Sequence, residues 1–551
     1  MHRIAFFSLV LSVCFASAWN ARGDEDVSFG VLKATPPDGA KGVELRPLIQ
    51  VHTTGRFDQA TVNERAVGLS DSEGTPVPSD VSADLGGVIT LSPKKPLRPD
   101  ALYRLRVTEA LRSREGEPAT PFGATFRTTS EPLPDPESSP RVFRFAKRRL
   151  DRRDGVCGLA LAPGGNLFAC TWDGTLVRYR LASDGSAERE EEILREPKRR
   201  FLSLVADPAS TPDKLVLWLT HDSLARESLG PNDFSGTLSR IVVEGGRARR
   251  EDWVVGLPVG DHPATGLVFQ PDGKLLVSQG ALTMLGDKPW LKETPLSAAT
   301  LEIDLSDQAF ASDRRPLDVR TEGDGSYDPA SGPVRVYATG VREAYDLCLH
   351  SNGSLYAGVN MNDTGERTPG RDGLPSVSAR PREMMIRIVR GKYYGHPNPS
   401  RGEWTLLGGN PTDERDPWEV PELPVGTQPD RNFDPALLIR DLEQDKGPSA
   451  DGCCEWTRKD ALEGRLIFCF YTATRGLHAY AFSQDGARVV DHAALTDESG
   501  EPLRFGAPLD VVFDPAGRLY VADFSAPERG DSGKEGGVWA VDPVEPLPLR
   551  R

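Results

Sequence analysis

Residues 333–399 open with PVRVYATGVREAYDLCLHSNGSLYAGVNMNDTGER and close with MMIRIVRGKYYGHPNP. The stretch reads as strand, tight turn, strand, oxygen-rich loop, strand and aromatic turn. Val334, Val336, Leu347, Leu349, Leu355 and Tyr356 supply strand-forming side chains. Ser351-Asn352-Gly353 is a hairpin turn, in which Asn352 or Gly353 takes positive φ.

The hairpin in this stretch is a recurring phrase. It appears at residues 159–169 (LALAPGGNLFA), 267–277 (LVFQPDGKLLV), 347–357 (LCLHSNGSLYA) and 511–521 (VVFDPAGRLYV), with a degenerate copy at 481–489 (AFSQDGARV). Each copy is strand, Pro/Asp/Asn-Gly turn, strand. Recurrence at blade-length intervals is the signature of a β-propeller, each copy being the inner hairpin of a blade. Residues 141–548 are therefore read as a six-bladed β-propeller with insertions. In such a fold Gly340 and Arg342, just before an inner strand, face the central channel. Residues 186–200 (SAEREEEILREPKRR) read as a solvated outer loop, and residues 364–382 and 398–447 as long irregular insertions over one face.

Residues 27–129 read as a separate all-β module. Short strands alternate with Pro/Gly turns at the spacing of an immunoglobulin-like β-sandwich, closing on Phe126-Arg127-Thr128. Its turn and strand order resembles bacterial Ig-like modules, and it carries no chemistry, which makes it a spacer or adhesion unit, with a specific ligand-binding module as the alternative. Residues 130–140 (SEPLPDPESSP) form a Pro-rich acidic linker. Residues 1–18 read as a secretory signal: His2 and Arg3, an apolar run, then Ala16-Ser17-Ala18. Export to the periplasm or medium follows. Val13 before Cys14 disfavours lipid anchoring, and no later stretch is apolar enough for a transmembrane segment. A net charge of −15 argues against nucleic acid as a partner. Removing the signal leaves six cysteines, an even number for an oxidising compartment. Cys157 with Cys170, and Cys453 or Cys454 with Cys469, are the pairings considered; buried free thiols are the alternative.

Tyr337 to Leu347, Asn352 to Leu355 and Gly391 to Pro397 together resemble the glucose/sorbosone dehydrogenase family. That resemblance implies a six-bladed propeller that oxidises a sugar at C1 with pyrroloquinoline quinone (PQQ), often with calcium, and passes electrons to an external acceptor. It extends more weakly over residues 141–544. His262, after Asp261 and before a repeat hairpin, matches the family's general base, a role suited to imidazole. Asp261 is then a hydrogen-bond partner for a sugar hydroxyl. Arg342, Glu343, Arg475 and Arg504 are the implied cofactor-binding residues, since the three carboxylates of PQQ need guanidinium or ammonium partners. Glu343 stands where the family has an amide, and Thr474 where it has a lysine. The implied calcium site takes oxygens of Met361, Asn362, Asp363 and Glu383, with Tyr394 as the family tyrosine. An exposed turn histidine and a structural ion pair are the plainer readings of His262 and Arg342. The alternative function is a non-catalytic secreted propeller that binds carbohydrate or protein.

Overall fold

The structure, a computed structural model, describes residues 28–129, 142–525 and 536–547, apart from 44, 46, 48, 55, 56, 84–87, 96, 224–231, 284–286, 289, 290, 324, 325, 361–366, 370–374, 378–382, 395, 402, 404–437 and 443–448. The N-terminal module is a sandwich of two sheets. One has the order Val31–Thr35, Ile49–Thr53, Val88–Pro93, Ser79–Ala83. The other has the order Ala40–Val43, Phe122–Thr128, Leu102–Val107, Val67–Asp71, Pro76–Val77. Alternation sets the core: in Leu102–Val107 the residues Tyr103, Leu105 and Val107 are buried and those between them exposed. They pack with Ile49, Val51, Ile89 and Leu91 of the facing sheet.

The remainder is a propeller. Among the described residues six up-and-down antiparallel blades follow one another, and the second carries an extra parallel strand, Leu317–Asp318. Their inner strands are Val156–Ala162, Arg199–Ala206, Ala264–Phe269, Cys348–Leu349, Ala450–Trp456 and Pro508–Asp514. Each packs against the next, and the last packs against the first. The sixth blade takes its outermost strand, Phe143–Asp151, from the start of the propeller chain, and this strand pairs antiparallel with Gly537–Pro543 near its end. Phe145 lies opposite Pro543, and Arg149 opposite Trp539.

Four of the repeated phrases form the inner hairpins of blades one, three, four and six. The copy at 481–489 does not: it joins the third and fourth strands of blade five. Residues 186–200 are likewise not a loop, since Ala187–Arg195 is the outermost strand of blade one. No disulfide joins the described cysteines, which corrects the proposed pairings. Cys157 sits at a register shift, so Cys170 lies opposite Gly158, and the Cys157 thiol turns to the Gly155 carbonyl at 3.3 Å. Cys453 and Cys454 lie opposite Phe468 and Ile467, and the Cys469 sulfur accepts instead from the Gly452 amide at 3.2 Å.

Candidate active site

The channel is packed, and alternate glycines let it pack. Gly158, Gly266 and Gly452 lie on the inner strands of blades one, three and five. A Cβ on them would lie 3.0 Å from the Cα of Ser203, 2.7 Å from that of Asp346 and 2.4 Å from that of Asp510, each on the next blade. Only a residue without Cβ permits that approach. Tyr345 then crosses the channel from blade four, its hydroxyl donating to the carbonyls of Cys157 (2.9 Å) and Leu202 (3.2 Å) on blades one and two. Asp346 accepts from the Cys453 amide at 3.1 Å, and Asp510 from the Leu159 amide at 2.7 Å. Burial raises the Asp346 carboxyl to about 7. Burial, then the charge of Asp346, raises Asp510 well above the usual carboxylate range.

Above this floor lie the connections that enter the inner strands or join second strands to third. The expected site residues that are described fall on these connections or on the blade-four turn at 391–397. His262 and Glu343, on the entries to blades three and four, meet: His262 Nδ1 is 2.8 Å from Glu343 Oε1. His262 Nε2 is buried without a hydrogen-bond partner among the described residues. Burial acts to raise the Glu343 carboxyl, but the charges of His262 and Arg342 and hydrogen bonds from His262 and Asn360 outweigh it and hold Glu343 at about 2. Asn360 Nδ2 donates to Glu343 Oε2 (3.2 Å) and to Asp451 Oδ1 (3.1 Å). Arg342, 5% exposed, donates from Nη1 to the Asn360 carbonyl at 3.2 Å. Asp451 is buried beside them; burial first, then the charges of Glu343 and Glu383, raise it well above the ordinary range. Asp261 is half-buried next to His262.

The other expected residues fare differently. Arg475, half-buried with φ 49°, donates to the Gly506 carbonyl at 2.9 Å. Arg504 is exposed; its backbone bridges Gly476, and its carbonyl accepts from Lys147. No contact among the described residues brings Arg504 to the His262–Glu343 pair. Met361, Asn362 and Asp363 lie outside the described residues. Tyr394 is 1% exposed; its hydroxyl donates to the Arg387 carbonyl and accepts from the Val389 amide at 2.8 Å, and so it closes the blade-four turn. Glu383 is half-buried near Asp451. Among the described residues no three His, Cys, Asp or Glu side chains stand together as metal ligands. The sequence reading missed Asn360, Asp451 and Tyr345. Asn360 had one signal, its place directly after an inner hairpin; Asp451 follows a long insertion and had none.

Residues 25–128 match the family model described as a bacterial Ig-like domain. No curated protein matches the chain. Among solved structures, the PQQ-bound aldose sugar dehydrogenase of Streptomyces coelicolor is similar at 17% identity and TM-score 0.44, covering 73% of this chain and 99% of that one. The holo PQQ domain of pyranose dehydrogenase from Coprinopsis cinerea is similar at 13% identity and TM-score 0.45, covering 74% and 98%.

PQQ is a planar tricarboxylate, so its site needs cations, a base and little competing negative charge. Arg342 and Arg475 stand on the upper connections of blades four and five. Burial favours the neutral form of Asp451, and the charge of Glu343 is met by its neighbours. The buried His262 Nε2 lacks a partner among the described residues. On these counts the donor set fits such a cofactor.

Proposed function

We propose that the propeller is a sugar dehydrogenase of the PQQ type, acting outside the cytoplasm, with His262 as its base. The observation that carries this reading is the His262–Glu343 pair. A carboxylate at Nδ1 fixes the ring and its tautomer, and leaves Nε2 to take a proton from a sugar hydroxyl. The Glu343 carboxylate then lies against the imidazolium that forms. Asp261 hydrogen-bonds a neighbouring hydroxyl. Arg342 and Arg475 pair with cofactor carboxylates, and Arg504 is left at the rim. When bound, PQQ supplies the acceptor for the hydride that leaves C1, and an external acceptor reoxidises it. The second reading, a non-catalytic carbohydrate-binding propeller, draws on the outward turn of Arg504 and on the engagement of Arg342 with a backbone carbonyl.

The test is PQQ titration of the full-length protein, with and without calcium, followed by dye reduction with a panel of aldoses. PQQ binding with sugar-driven reduction is the expected result. His262→Ala keeps cofactor binding and loses about 10²–10⁴-fold in kcat. Absence of PQQ binding under both conditions overturns the dehydrogenase reading; glycan binding by the same protein then supports the second.

A further inference from the structure

Glu293 is a fully buried carboxylate outside the reacting pair, on a connection of blade three. Its Oε1 accepts from the Thr283 amide (2.8 Å), the Thr283 hydroxyl (2.6 Å) and His396 Nε2 (3.2 Å). Its Oε2 accepts from the Leu282 amide (3.2 Å) and the Ser297 hydroxyl (2.5 Å). These partners more than offset burial and keep it ionised. The segment it grips is the one that carries the entry loops of both reacting residues. The Ala281 carbonyl accepts from the His262 amide at 3.0 Å, and the Ala281 amide donates to the Arg342 carbonyl at 2.8 Å. The Leu282 carbonyl accepts from the Asp261 amide at 3.1 Å. The fit has no slack: a Cβ at Gly280 would lie 2.3 Å from the Cβ of His262, and one at Gly260 2.4 Å from the Cα of Leu282. One residue, Ala281, thus sits between the loop bearing His262 and the loop bearing Glu343.

We infer that Glu293 is a positioning residue: by holding residues 281–283, it sets the register in which His262 meets Glu343. The functional consequence rests on the dehydrogenase reading, but the geometric one does not. The test uses full-length protein labelled with ¹⁵N-histidine. In the wild type, an exchange-protected downfield Nδ1–H resonance is expected, assigned to His262 by its absence in His262→Asn. Glu293→Gln, which replaces one acceptor oxygen with an NH2 group that cannot accept, should abolish or shift that resonance while the protein remains folded. On a turned-over sugar it should lower kcat on the order of 10- to 100-fold, with KM held within about twofold. If Glu293→Gln does not fold, Thr283→Val, which removes only one donor, decides by the same resonance. An unchanged resonance in a folded variant, or no such resonance in the wild type, overturns the inference. Loss of the resonance in a protein that oxidises no sugar leaves the positioning role standing and sinks the dehydrogenase reading alone.

Discussion

The histidines of the propeller are mostly spoken for. His221 Nε2 is 2.7 Å from the Ser239 hydroxyl, His350 Nε2 is 3.0 Å from the Gly464 carbonyl, and His478 Nδ1 is 2.8 Å from His492 Nε2. His262 alone among these has a carboxylate on one nitrogen and, on the other, burial without a partner among the described residues. Its position was legible because a Gly-rich turn delivers it to a repeat hairpin. Its partner's role was not, because Glu343 enters from the next blade, and adjacency across blades leaves no trace in local pattern. The channel acids were hidden differently: Asp346 lies just before an inner strand and Asp510 within one, and nothing in the local pattern marks either as buried. Their chemistry has a measurable sign. Asp346 ionises near 3.8 when exposed and at about 7 here, so between those values the folded chain holds more protons than the unfolded one. Stability should therefore fall as pH rises through that window and stay low above it; Asp510 and Asp451 act in the same direction. Asp346→Asn, which keeps an acceptor oxygen without the charge, should flatten the pH dependence of Tm between about pH 4 and pH 7 and raise Tm at pH 8. A thermal melt series checks this; an unaltered slope would show that the proton resides elsewhere.

The repeated turn was a reliable guide to hairpins and a poorer one to their place. Asp485-Gly486 makes as good a turn between the outer strands of blade five as Ser351-Asn352-Gly353 makes at an inner hairpin, where Gly353 takes φ 83°. Blades two and five have inner hairpins whose turns lack the phrase, so their inner strands carried no mark. Ala187–Arg195 was obscured by its charges. An outermost strand can place such residues in solvent, and there Glu190 and Glu192 face Arg153 at 2.7 and 3.9 Å. Gly158, Gly266 and Gly452 share a spacing role that no single-strand pattern reveals, because the constraint comes from the neighbouring blade. Gly266→Ala should force blades three and four apart, costing about 1–3 kcal/mol as overpacking does. Urea denaturation checks this, and a midpoint equal to wild type would mean the strands have room to yield.

At the scale of the molecule, the sandwich has a core of its own, drawn only from residues between Phe29 and Phe126. Residues 27–129 expressed alone should accordingly give a single cooperative melt. The propeller offers no such partition. Deleting residues 142–152 removes the outer strand of blade six and exposes the edge of Gly537–Pro543, so the expected outcome is loss of cooperative unfolding and self-association, read by calorimetry and light scattering. That a sandwich precedes a propeller was legible because the strand and turn spacing of the first differs from the recurring hairpin of the second. The closure was not, since it joins strands from opposite ends of the propeller sequence. That closure bears on how the chain is made. A ribosome delivers Phe143–Asp151 early and its two sheet partners, Val489–Thr496 and Gly537–Pro543, late, so the first strand must wait without either through the synthesis of nearly everything between them. A nascent chain interrupted anywhere short of its final strand is an unsealed arc, open to holdases and proteases. Completion of the circle is thus a quality check written into the order of translation.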